Sequence, residues 1–166
     1  MNWERELDLL ARDREKDSEA SLSQMVVDHP KTLQRQLRHY LAEQANRGKL
    51  KQTYEVPRLI TRPGLTELIC DDVEFRSDSK LDFNIRMVQE QTGWLVKQFR
   101  FHLCFVARAI GMVRIHLNAT SGHEPLRVPR CHFHIGNSNA HIPFPILDPR
   151  LMVHLICEHI EPDMGL

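Results

Sequence analysis

Two histidines at alternate positions, His132 and His134, lie within the run Val128-Pro-Arg-Cys-His-Phe-His-Ile-Gly136. Alternate side chains of a β-strand leave the same face, so the two imidazoles point together while Cys131 and Phe133 point the other way. Three chemistries are open to such a pair. As neutral imidazoles they could hold zinc or another divalent metal, which requires at least one further protein ligand, and His141, His123 and His116 are the nearest sources. His132, His134 and His141 form the candidate metal set. As acid and base, the pair could deprotonate a ribose hydroxyl and protonate a leaving oxygen. Arg130, Arg114 or Arg100 would then stabilise the charged phosphorus centre. His132, His134 and Arg130 are therefore the candidate catalytic residues. As structural groups the histidines would only hydrogen-bond their neighbours.

Other groups point less directly to chemistry. Cys131 adjoins His132, but adjacent strand residues face opposite ways, which argues against a thiolate activated by that imidazole. The acidic run Asp71-Asp72-Val-Glu74, with Asp78 and Asp82, offers oxygen ligands of the kind magnesium takes. The same residues read more simply as a solvated strand face, with Asp72 and Glu74 alternating against Val73 and Phe75. His154 and His159 are five apart, a spacing that does not place them on one face of an α-helix. The Gly-rich nucleotide loops, the G-x-S-x-G elbow and the H-E-x-x-H helix are absent from the sequence, which removes the usual support for NTP hydrolysis, dinucleotide redox chemistry and zincin proteolysis.

Positioning these groups requires a sheet. Leu81 to Val88 alternates Phe83, Ile85 and Met87 with Asn84 and Arg86. Trp94 to Phe105 sets Phe99, Phe101, Leu103 and Phe105 against Gln98, Arg100 and His102, and a turn near Gln91-Thr-Gly93 joins the two segments. Met112 to Ala119 alternates Val113, Ile115, Leu117 and Ala119 inward with Arg114, His116 and Asn118 outward. A polar loop at Thr120 to Pro125 leads to the histidine strand.

Helices flank that sheet. Leu33, Leu37, Tyr40 and Leu41 follow His29-Pro30 at helical spacing, and Asn46-Arg47-Gly48 supplies a stop. Asp148 as N-cap and Pro149 in the first turn open a closing helix with Leu151, Met152, Leu155, Ile156 and Ile160 on its apolar face, and Pro162 ends it. Trp3, Leu7 and Leu10 mark a short amphipathic helix over residues 2–15, read as docking on a protein partner, and Asp13 to Ser21 has the composition of a charged linker. The expected organisation is thus α+β: a mainly antiparallel sheet, N-terminal helices and a C-terminal closing helix. Residues 1–20 form the helix and linker, and residues 21–166 a single domain.

Charge is banded although the total is zero. Residues 31–62 carry eight basic and two acidic side chains, among them Arg35 and Arg38, three apart and hence on one helix face where they could contact nucleic-acid phosphates. No run approaches the roughly 20 apolar residues of a spanning helix, so no membrane role is expected. The acidic start lacks the basic and apolar regions of a secretory signal, which points to the cytoplasm. Four dispersed cysteines without a CxxC pair read as buried reduced thiols.

The segments Cys131-His-Phe-His-Ile-Gly136, His141-Ile-Pro-Phe-Pro145 and Asp148-Pro-Arg-Leu-Met-Val-His-Leu-Ile-Cys-Glu-His-Ile160 together resemble the tail of certain uncharacterised bacterial proteins found beside phage-defence or mobile-element genes. The resemblance covers about 30 residues. It implies a bacterial cytoplasmic protein acting as one part of a multi-gene defence or toxin system, and it implies no catalytic residue. Two functional classes stand at this point. One is an interaction module or subunit of such a system, using Trp3, Leu7 and Leu10. The other is a histidine-dependent or metal-dependent hydrolase acting on nucleic acid.

Overall fold

The computed structural model describes residues 25–51, 56–91, 93–106, 109–118 and 130–161. Its elements in chain order are β1 (Val26–Val27), α1 (Pro30–Asn46), β2 (Arg58–Arg62), β3 (Leu65–Glu74), β4 (Lys80–Glu90), β5 (Gly93–Cys104), β6 (Met112–Leu117), β7 (Cys131–Ile135), β8 (Ile142–Pro143) and α2 (Pro149–Leu155). A π-helical turn over Ile156–Ile160 continues α2. The architecture is α+β, as the alternating patterns require. Strands β2 to β8 lie side by side in chain order as an antiparallel meander, and β1 pairs with the first residues of β5. Gly93 makes that last pairing feasible: its φ is +136°, and a Cβ there would stand 2.8 Å from Cγ1 of Val26.

Period-two alternation divides the sheet into two unlike faces. One carries rows of apolar side chains in register, Phe83–Phe101–Ile115–Phe133 and Ile85–Phe99–Leu117–Cys131. Phe83 and Phe101 stack with centroids 5.5 Å apart, and Phe99 meets Phe101 edge-on at 5.4 Å. Leu33, Leu37 and Leu41 of α1 and Met152, Val153, Ile156 and Cys157 of the C-terminal helix cover this face and complete the core. Burial of each such side chain is worth about 1.5–3 kcal/mol, so the helices are fixed to the sheet by this layer. No helix among the described residues is long and apolar enough to cross a membrane.

The helix ends follow local chemistry. Pro149 sits in the first turn of α2, and Asp148 accepts the Arg150 amide at 2.8 Å as the cap. Past α1, Gly48 takes φ +77°. Two expectations about the C-terminal helix need correcting. Leu151 is 57% exposed, and the buried stripe runs through Pro149, Met152, Val153, Ile156 and Cys157 instead, centred one residue further round. His154 and His159 do meet, with ring centroids 6.1 Å apart, because the π-helical turn between them widens the helical period that α-helix spacing assumes.

The acidic run also differs from a plain exposed strand face. Val73 and Phe75 are core residues. The register slips between Cys70 and Val73, where Asp72 takes a left-handed φ of 54° at the bulge. Its carboxylates are committed to cations: Asp71 to Arg58 at 2.9 Å, Glu74 to Lys80 at 2.9 Å and to Lys51 at 3.1 Å, and Asp78 to Lys51 at 2.7 Å. These pairs explain the cluster without a magnesium ion.

Candidate metal centre

The second face of the sheet is polar, and the histidines gather there. Two parallel rows cross it: Asp82–His102–Arg114–His134 and Asn84–Arg100–His116–His132. Directly opposed residues of antiparallel strands have Cβ atoms about 4.5–5.5 Å apart, so strand register alone brings together imidazoles that are far apart in sequence. One extra residue on β5, Lys97, slips the register between Arg86 and Met87 and thereby sets which side chains fill these rows.

Among the described residues, His116, His132 and His134 are grouped by the mutual approach of their ring nitrogens. One ligand nitrogen from each lies within 4.8 Å of the others, and the set is geometrically compatible with a divalent metal ion. Zinc bound by nitrogens at 2.0–2.1 Å needs nitrogen–nitrogen separations of roughly 3.3 Å, so the ligand atoms would have to close by up to about 1.5 Å. His132 and His134 are 2% and 6% exposed, and His116 is half-buried beside them. Nδ1 of His134 is buried and has no hydrogen-bond partner among the described residues, while the Ser138 and Ala140 backbone favours the ring's charged form against the burial that opposes it. A ring nitrogen left in that state costs about 1–3 kcal/mol, and in the tautomer that gives it a lone pair a cation would satisfy it.

Residues 136–141 fold over this face after Gly136 leaves the strand. Arg114 holds that segment by donating to the carbonyls of Gly136 and Ser138 at 3.4 and 3.3 Å. The turn brings the His141 ring against both partners, with centroids 4.7 Å from His132 and 4.6 Å from His134. His141 therefore adjoins the centre as its exposed outer member, while His116 from β6 completes the close-set trio. Behind His116, His102 places its Nε2 at 2.9 Å from the His116 Nε2, the outer hydrogen bond that commonly orients a metal-binding imidazole.

Burial and neighbouring cations favour the neutral forms of His102, His116 and His134. Burial pushes the His116 pKa down to about 4, aided by His102, His132, His134 and Arg114. Burial likewise lowers His102, with Arg100 and Arg114 adding to it, and lowers His134, with Arg114 and His141 adding to it. Neutral imidazole is the ligand form. An acid–base pair would need one imidazolium at neutral pH, and these surroundings disfavour it. The same packing makes the thiols poor nucleophiles: Cys131 lies on the apolar face, and burial raises its pKa to about 12.

The remaining sequence candidates fall in three places. Arg130 precedes β7 on the histidine side and donates from Nε to the Asn118 carbonyl at 3.2 Å, so it braces the strand pair rather than aiming at a ligand. Arg35 and Arg38 are exposed on α1, which packs on the apolar face, so the sheet separates them from the histidines. Trp3, Leu7, Leu10 and His123 lie outside the described residues. His102 was not legible as a member of the site, because its place depends on register. No protein-family model, curated protein or solved structure matches the chain.

Proposed function

We propose that this chain is a divalent-metal-dependent hydrolase acting on nucleic acid, with His116, His132 and His134 as the metal ligands. The observation that carries this reading is the largely buried trio on one sheet face, whose His134 Nδ1 has no hydrogen-bond partner among the described residues. A divalent ion held by three imidazoles with one position open supplies Lewis acidity and an acidified water, the two requirements of phosphodiester hydrolysis. The residues around it serve that purpose: His102 orients His116, Arg114 ties down the covering turn, and His141 stands at the exposed edge where a substrate enters. The face is also basic. Arg58 is paired with Asp71 and Arg86 with Glu67, but Arg100, Arg114 and Arg130 have no carboxylate partner among the described residues. A polyanion suits such a surface.

The other reading, a subunit or adaptor docking through Trp3, Leu7 and Leu10, rests on residues outside those described. The deciding experiment is metal analysis of the purified protein, beside His132→Ala combined with His134→Ala, followed by cleavage assays on single- and double-stranded nucleic acid. One bound ion and metal-dependent cleavage, both lost in the folded double variant, are expected. Cleavage that survives in the variant, or a wild type that takes up no zinc, manganese or iron, would overturn the proposal.

A further inference from the structure

We propose that Arg100, with Asn84 and Gln98, forms an oxyanion subsite that holds a phosphoryl group of the substrate beside the histidine centre. The inference deepens the hydrolase reading by locating substrate binding, and it rests on that reading for its catalytic meaning alone.

Position supports it first. Asn84, Arg100, His116 and His132 are successive members of one cross-strand row, so Arg100 is the immediate neighbour of one ligand and two strands from another. A group bound at Arg100 therefore lies next to the metal position. The pocket supports it next. Asn84, Arg86, Gln98, Phe99 and Arg100 line a shallow cavity of about 130 Å³. At about 30 Å³ per water, that volume holds roughly four waters or one tetrahedral oxyanion.

The commitments of the arginines make the assignment specific. Arg86 bonds Glu67 at 2.6 Å and Gln98 at 3.1 Å, Arg58 bonds Asp71, and Arg114 and Arg130 spend donors on backbone carbonyls. Arg100 is exposed, and its side chain makes no hydrogen bond or ion pair to any described residue. Five donors in a planar fork, with no partner among the described residues and two side-chain amides alongside, match the oxygens of a phosphoryl group. Glu67, opposite Arg86 on β3, is neutralised by Arg86, and Asp82, two residues before Asn84 on the same face, accepts the Asp72 amide.

The test is titration of the full-length chain, as purified and after chelation, with inorganic phosphate, with acetate and with a hexamer of deoxythymidylate, followed by amide NMR. Wild type and Arg100→Gln are compared. Phosphate should move the resonances of residues 84 and 98–101, and Arg100→Gln should weaken that binding about tenfold while keeping the fold and the metal content. Tighter, more salt-sensitive binding of the hexamer supports a nucleic-acid source of the phosphoryl group, and equal binding supports a small phosphate ester. Unmoved resonances, equal binding by Arg100→Gln, or acetate binding as well as phosphate would each overturn the subsite. Loss of metal with phosphate binding intact would instead count against the hydrolase reading alone.

Discussion

The Nε2 atoms of His102 and His116 stand 2.9 Å apart across the β5–β6 pairing, so one ring donates and the other accepts, and a single proton serves both. A second proton would break this bond and place a cation among His132, His134 and Arg114. Stability of the metal-free protein should follow. The His116 pKa is lowered from 6.5 to about 4, so between those values the unfolded chain binds a proton that the native state refuses. Stability should fall as the pH drops from about 6.5 towards 4, while above 6.5 these groups contribute no slope. Denaturant midpoints at pH 7.5, 6.5 and 5.5, taken before the carboxylates begin to titrate, would show this. A flat profile would contradict it, and His116→Gln should reduce the slope.

Metal binding should raise the thermal midpoint, because only the native state assembles the three ligands. An ion at one hundred times its Kd adds about 2.7 kcal/mol. Single replacement of His116, His132 or His134 by alanine should abolish the shift, whereas His141→Ala should retain one equivalent of metal at reduced affinity. Thermal melts with and without zinc decide the matter. Complete loss of binding in His141→Ala would promote that residue from the rim to the ligand set.

Asp148 tests a purely local expectation. Its carboxylate caps α2 through the Arg150 amide at 2.8 Å and pairs with the Arg150 guanidinium at 2.7 and 2.6 Å. Asp148→Ala should cost about 1 kcal/mol, and Asp148→Asn, which keeps the cap, clearly less. Equal losses in urea unfolding would show that the ion pair, rather than the cap, carries the effect.

Much of the scaffold was legible because local rules govern it. Alternation located β4, β5, β6 and β7 and assigned Val113, Ile115 and Leu117 inward against Arg114 and His116. Pro30, Gly48, Asp148 and Pro149 marked helix ends for reasons that act within a few residues. The site was legible only in part. His132 and His134 share a face by periodicity, and His116 was one of three named sources for a further ligand. Selecting His116, and adding His102 behind it, depends on register across β5, β6 and β7, which the extra residue at Lys97 and the strand connections set. Those constraints are non-local. The π-helical turn was hidden for a related reason: no residue in Ile156–Ile160 announces it, and what holds it is tertiary, with Glu158 bonded to Lys49 and Glu161 to Ser77.

The unpartnered Nδ1 of His134 sets activity and robustness against each other. On the metal reading this nitrogen is a liability to the bare fold, and a leucine in its place would bury carbon where a ring nitrogen has no partner among the described residues. His134→Leu should therefore melt higher than the metal-free wild type while losing the ion altogether. A lower melting point would mark the ring as one that the fold itself needs. If the variant is the sturdier protein, selection for heat tolerance alone would erode this centre first, and an active lineage keeps it only under continuing demand for its chemistry.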